Sequence, residues 1–352
     1  MAFRDLVNQD HAVMLLRAAA RAGRVGHAYL IVGPAGVGRR TVALAFAQYL
    51  NCQQADGDAC GQCRSCRKVA GGHHPDVRIL DVARGLYIEA PGKEFKGKDI
   101  PVDQIRALRR EASFAPYEGK WKVFIVADAE RMNQHAANSL LKILEEPPAR
   151  VVFLLVAEST VALLPTIVSR CQLIRCSYLP TEAIERALRD RWGIPQDRAR
   201  LLAVLADGRL GRALEWARSE EKLEARDRLL DLLPALEEGD ALARLEAAEA
   251  LSRQADMLLE LLDLAVLWYR DLLIYRETRE PSLLTHRDRE AQIAAIADRY
   301  AGAALGARIE AVEAAKESLR RNVNPRLVLE KLFLALGGAE APEIRIPAGP
   351  ST

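Results

Sequence analysis

The sequence predicts an α/β fold: a five-stranded parallel sheet with helices on both faces, followed by an all-α remainder. Three observations carry this. Short β-branched apolar runs alternate with helix-patterned segments through the first half of the chain, the pattern of a parallel sheet covered on both sides. One strand runs into a helix through Gly33-Pro34-Ala35-Gly36-Val37-Gly38-Arg39-Arg40-Thr41, which has the outline of a phosphate-binding loop. After Tyr178-Leu179-Pro180-Thr181 the strand patterns stop.

Taken in order, residues 1–26 read as a helix with an apolar face at Ala12, Val13, Leu15, Leu16 and Ala19, and with Asn8 and Asp10 as candidate caps. His27 to Gly33 is a continuous apolar run suited to a strand buried on both faces. Thr41 to Leu50 is the helix after the loop. Asn51 to Gly72 is polar and cysteine-rich and breaks the pattern. Asp76 to Asp81 reads as the second strand. Residues 84–100, rich in Gly and Lys, read as a solvated loop or hairpin. Val102 to Ala112 is a helix with Pro101 at its first turn. Trp121 to Ala127 is the third strand, and Asn133 to Glu146 a helix stopped by Pro147-Pro148. Val151 to Ala157 is the fourth strand, Leu163 to Ser169 a short helix, and Gln172 to Cys176 the fifth strand. Residues 181–217 hold two or three short helices broken near Gly193-Ile194-Pro195 and Gly208. From 219 to 338 the chain is rich in Ala, Leu, Arg and Glu and helical nearly throughout, with breaks expected near Pro234, Gly239 and Pro281. Arg-Asn-Val-Asn-Pro at 321–325 begins the last helix, Leu327 to Leu336, and Gly337-Gly338 ends it. The proline-containing tail from Ala339 to Thr352 is expected to be disordered.

The 352 residues are enough for two or three domains, and half are apolar, so a sizeable core can form. A formal net charge of +2 and 5% aromatics give no electrostatic or stacking case for a nucleic-acid-binding surface. No basic-then-apolar signal opens the chain. Its longest apolar run, Val151 to Ala157, falls far short of the roughly 20 residues that span a bilayer. A cytoplasmic protein with no membrane contact is the expectation. In a reducing compartment, four cysteines within fifteen residues point to metal rather than disulfides.

Those cysteines are Cys52, Cys60, Cys63 and Cys66. Zn²⁺ prefers soft ligands in a tetrahedron, and a four-thiolate set leaves no open position, so the site would be structural. His73 and His74 are near enough in sequence to replace one cysteine, and they also suit capping the next strand. In the phosphate loop, Gly33, Gly36 and Gly38 keep the shape that turns backbone N–H groups onto an anion. Arg39 stands where a lysine should meet the β/γ-phosphates, and Arg40 where a hydroxyl should hold Mg²⁺, with Thr41 following. The third strand ends Ala127-Asp128-Ala129-Glu130, so Asp128 is the single acid where hydrolysis usually needs two. The loop therefore reads as a kept fold with lost hydrolysis; an arginine can still meet a phosphate, so nucleotide binding stays open. Arg170, in Thr166-Ile167-Val168-Ser169-Arg170-Cys171, lies at a helix end before a strand, where it could be offered to a neighbouring subunit. In Gly208-Arg209-Leu210-Gly211-Arg212 the glycines could start a helix that turns Arg212 toward the nucleotide cleft.

His27-Ala28-Tyr29-Leu30, the altered loop, the four-cysteine loop, Val102-Asp103-Gln104-Ile105-Arg106, the run from Ala136 to Pro148 and Ser169-Arg170-Cys171 together resemble one family. It is the delta-prime subunit family of the bacterial DNA polymerase III clamp loader, within the AAA+ superfamily. The resemblance is strong over residues 1–215 and weaker over the helical remainder. It implies an AAA+ domain at 1–177 with a zinc-binding insertion at 52–66, a helical lid at 178–217 and a helical collar at 218–338. It implies a hetero-pentamer with gamma/tau and delta subunits that uses ATP to open the sliding clamp and place it on primer-template DNA. In that assembly the chain would be a non-hydrolysing stator offering Arg170 in trans as an arginine finger. Cys52, Cys60, Cys63 and Cys66 match the family's zinc ligands, and the arginine pair argues against even residual ATP binding. Two other readings compete: an active motor of the gamma/tau type, opposed by Arg39, Arg40 and Ala127, and an independent zinc-containing nucleic-acid-binding protein, opposed by charge and composition.

Overall fold

The structure, a computed structural model, describes residues 2–82, 99–254 and 257–337. The expected 84–100 hairpin lies outside the described residues except at its last two positions, and the 339–352 tail lies wholly outside them. The chain divides into two compact units, Met1–Leu214 and Glu215–Thr352.

The first unit is built on five parallel strands: β1 (Ala28–Val32), β2 (Val77–Leu80), β3 (Lys122–Val126), β4 (Val151–Ala157) and β5 (Gln172–Arg175). Their order across the sheet is β2-β3-β4-β1-β5. Every residue of β1, β3 and β4 is buried, which is why these strands are continuous apolar runs rather than alternating ones. The helices of this half are α1 (Asp10–Arg21), α2 (Arg39–Asn51), α3 (Arg64–Ala70), α4 (Val102–Ala112), α5 (Gln134–Glu145) and α6 (Pro165–Val168). On one face Leu30, Phe124, Phe153 and Leu155 pack with Ile105 and Leu108 of α4 and with Leu140 and Leu144 of α5. On the other, Tyr29 meets Phe46 of α2 edge-on, ring centroids 5.1 Å apart.

Further along come α7 (Thr181–Trp192), α8 (Gln196–Leu205) and α9 (Leu210–Arg218), within which the division between units falls. The second unit continues with α10 (Glu220–Glu238), α11 (Ala241–Ser252), α12 (Leu258–Thr278), α13 (Glu290–Ile296), α14 (Gly302–Arg320) and α15 (Pro325–Leu336). Its interior holds Leu229, Leu230, Trp268, Leu272, Leu329 and Phe333, all at most 1% exposed. No helix among the described residues is long and apolar enough to cross a membrane.

Four expectations are corrected. The first 26 residues are not one helix. A single short 3-10 turn at Phe3–Asp5 precedes α1, because Asn8 takes a left-handed conformation that no helix continues through. The cap of α1 is Gln9 rather than Asn8 or Asp10, and it makes no side-chain cap bond. Its amide instead donates to the carbonyls of Val37 and Ser177. The cysteine-rich stretch contains a helix, α3, whose cap is Cys63 itself, the thiol accepting the Cys66 N–H. Pro234 does not break α10, which runs on to Glu238 and stops at Gly239. The burial of Leu229, Leu230, Leu233 and Leu236 along that helix holds its two sides together across the missing donor.

Candidate functional site

The phosphate loop lies between the end of β1 and Gly38, the cap of α2. A side chain at Gly33 would place its Cβ 2.2 Å from the Cys176 carbonyl oxygen, so the loop passes beside β5 only because that residue is glycine. Gly36 has φ +82°, and its carbonyl accepts the Gly211 N–H at 2.8 Å. A Cβ on Gly36 would come within 3.3 Å of Arg209 Cβ and 3.6 Å of the Arg212 nitrogen. The start of α9 therefore rests directly on the loop, and this contact brings the backbone of Arg212 beside it.

The two arginines that replace the usual chemistry are engaged with acids. Arg39, largely buried in the first turn of α2, faces Glu158 just beyond β4, Nη2 to Oε1 3.7 Å. Its Nη1 is buried with no hydrogen-bond partner among the described residues. Arg40 is ion-paired and hydrogen-bonded to Asp81, which is 5% exposed at the end of β2. Thr41 follows, half buried. Ala127 is buried just past β3 in line with Leu80, whose carbonyl takes its N–H. Asp128 has φ +53° and opens a 3-10 turn over Ala129–Arg131. The loop, Asp128 and Glu158 all stand at the carboxyl ends of the strands, where open parallel sheets bind ligands.

Glu158 and Asp81 were not singled out from the sequence. Their position one residue beyond a strand end was an available signal; their pairing with Arg39 and Arg40 was not.

Arg170 follows α6. Its Nη1 donates to the Thr166 carbonyl at 3.1 Å and its Nη2 to Glu145 Oε1 at 2.9 Å. The side chain remains about a third exposed, 36% by area.

The four predicted cysteines do come together. The Sγ atoms of Cys52, Cys60, Cys63 and Cys66 all lie within 4.8 Å of one another. Those of Cys60 and Cys66 are 3.8 Å apart. A tetrahedron with metal–sulfur bonds of about 2.3 Å has sulfur–sulfur edges of about 3.8 Å, so the donor set fits a tetrahedral dication. Backbone N–H groups of Cys63 and Gln62 pull the Cys60 thiol down to about 6, whereas burial pushes Cys66 up to about 12. A bound dication would favour the thiolate at all four. Cys52 caps the C-terminal end of α2, so the helix that starts at the phosphate loop ends at the cysteine cluster. His74 is not part of the cluster. It is buried, accepts the Asp76 N–H at Nδ1 (3.1 Å) and meets Ser65 Oγ at Nε2 (3.1 Å), capping the turn into β2. His73 is exposed.

The cluster also holds the start of the chain. Asp58 accepts the N–H groups of Phe3 and Arg4 at 2.9 and 3.0 Å, and Arg4 donates to the carbonyls of Ala59 and Cys60.

A β2-β3-β4-β1-β5 parallel sheet, with a phosphate loop after β1 and helical segments packed on that loop, defines an α/β phosphate-loop fold of the AAA+ type. Comparison with known proteins makes the class specific. Residues 8–180 match the family model for DNA polymerase III, delta subunit, and residues 220–337 match the model for DNA polymerase III, delta subunit, C terminal. The chain is 31% identical over 331 residues to DNA polymerase III subunit delta' of Bacillus subtilis, covering 93% of this chain and 96% of that one. It is also 30% identical to DNA polymerase III subunit tau of Salmonella typhimurium, covering 97% of this chain but only 51% of that protein. Among solved structures, a DNA polymerase III gamma subunit-related protein from Thermotoga maritima matches with TM-score 0.40 at 21% identity, covering 93% of this chain and 98% of that one. The chain belongs to the delta-prime family of bacterial DNA polymerase III clamp-loader subunits.

Proposed function

We propose that this chain is a non-hydrolysing stator of the clamp loader, which assists ATP-dependent loading of the sliding clamp onto primed DNA by offering Arg170 to the ATP site of an adjacent subunit. The observation that carries the reading is the engagement of Arg39 with Glu158 and of Arg40 with Asp81. The two positions that should bind phosphate and Mg²⁺ are spent on internal ion pairs, and Ala127 removes the carboxylate that would assist. Arg170 is also paired with an acid, Glu145, and its side chain is 36% exposed at the end of α6. Its role would be to stabilise charge on the phosphoryl group transferred in the neighbour's site.

On this reading residues 1–177 form the AAA+ domain, 178–217 the lid and 218–338 the collar, through which the chain joins gamma/tau and delta subunits in a hetero-pentamer. The clamp and primer-template DNA are met through that assembly. Cys52, Cys60, Cys63 and Cys66 hold a structural Zn²⁺, with no open position for chemistry.

The experiment has two arms. The purified chain with Mg²⁺ and ATP is expected to give no turnover. In the reconstituted complex, Arg170→Ala is expected to lower the ATPase rate by at least tenfold while the chain's melting temperature stays unchanged. An unchanged rate would sink the trans role. The buried, unpartnered Nη1 of Arg39 favours one alternative, residual phosphate binding. Turnover by the isolated chain that disappears in Arg39→Ala would replace the stator by a gamma/tau-type motor.

A further inference from the structure

The guanidinium of Arg170 is held before any partner arrives. The Thr166 carbonyl accepts both from its Nη1 and from the Ser169 hydroxyl, each at 3.1 Å. Glu145 takes its Nη2 at 2.9 Å. Glu145 is the last residue of α5, and Thr166 lies in α6. Both elements are anchored in one core, where Ile143, Leu144 and Ile167 are at most 4% exposed and Cys171 packs alongside. The two ends of the pair are thus fixed by rigid backbone on either side.

Helix stability gives no reason for an acid at residue 145. Glu145 and the following Glu146 stand at the negative end of the α5 dipole, where acids are disfavoured. An arginine has five N–H donors in a planar fork. Glu145 and Thr166 occupy one on each terminal nitrogen, leaving three for an incoming anion.

We infer that Glu145 is a positioning residue for Arg170: together with the Thr166 carbonyl it fixes the plane of the guanidinium, so that a partner's phosphate meets an arginine already ordered. The inference rests on the trans role proposed above. Ordering a long side chain in advance removes an entropic cost at the moment of reaction. An exposed ion pair orders it only modestly, so an effect of a few fold is expected.

The test is steady-state ATPase of the reconstituted complex carrying Arg170→Ala, Glu145→Ala, Glu145→Gln or the Arg170→Ala/Glu145→Ala pair. Glu145→Ala should lower kcat by about two- to fivefold with KM for ATP unchanged. Glu145→Gln keeps an acceptor oxygen and should recover most of the rate. In the Arg170→Ala background, Glu145→Ala should add nothing, because its effect passes through the arginine. The inference is overturned if Glu145→Ala slows both backgrounds equally, the mark of a structural role. It is overturned equally if Glu145→Ala leaves kcat untouched where Arg170→Ala lowers it. If Arg170→Ala itself changes nothing, the trans role has failed and the inference falls with it.

Discussion

Arg40, within the phosphate loop, makes a structural ion pair with Asp81. A small hydroxyl there would leave Asp81 facing the loop without its guanidinium. Asp81 is almost wholly buried, so losing a charged partner leaves a desolvated carboxylate. The arginine is 32% exposed, so water offsets part of the loss and the full penalty of a buried pair does not apply. Arg40→Thr is expected to destabilise the chain by about 1–3 kcal/mol, read from urea unfolding. Asp81→Asn in the same background should recover much of that loss. If the two changes simply add, the pair is not coupled. Placing a hydroxyl at position 40 thus conflicts with the stability of the β2 end, so the ion pair opposes that single change.

The elements around the site are tied by buried polar groups that a sequence does not advertise. Asp76, at the entry to β2, accepts the N–H groups of Tyr117, Glu118 and Gly119 at 2.6, 2.8 and 2.7 Å. Burial pushes its pKa up, but the three donors outweigh it and hold the carboxyl below its ordinary range. A depressed folded pKa means that this stabilisation is complete above the unfolded value of about 4 and is lost as the pH falls through the folded value. Asp76→Asn should therefore be clearly less stable than the parent chain at pH 7, the gap narrowing as pH is lowered from about 5 toward 2. A gap independent of pH would mean that the carboxylate charge is not what ties the segment. The contrast with what the sequence made legible is physical. β4 matched its expected bounds at both ends because a strand buried on both faces must be apolar throughout. α4 matched because Pro101 fixes its start. α3 was missed because its cap is a thiol rather than a hydroxyl or carboxylate. The clustering of the four cysteines was legible from spacing alone, being local. The acidic partners of Arg39, Arg40 and Arg170 lie 25 to 119 residues away in the chain, and only the folded sheet brings them into reach.

At the scale of the whole molecule, the two compact units each carry a core of their own, the first around the sheet and the second around Trp268 and its neighbours. Separate cores permit separate unfolding. The cysteine cluster belongs to the first unit alone, where it caps α2 and clamps Phe3 and Arg4 through Asp58. A ligand that binds only the folded state raises the stability of the unit containing it, by an amount set by its affinity and concentration. Calorimetry of the purified chain should accordingly resolve two transitions. Chelation should release one zinc per chain and lower one transition while leaving the other in place. Hydrogen exchange should then speed at the amides of Phe3 and Arg4, whose acceptor sits in the cysteine loop, and remain unchanged in α12 and α14. A single transition that chelation shifts as a whole would mean that the units unfold together and that the metal supports both. Well under one equivalent of zinc, with both transitions unmoved, would mean that the four thiols hold their geometry without a metal.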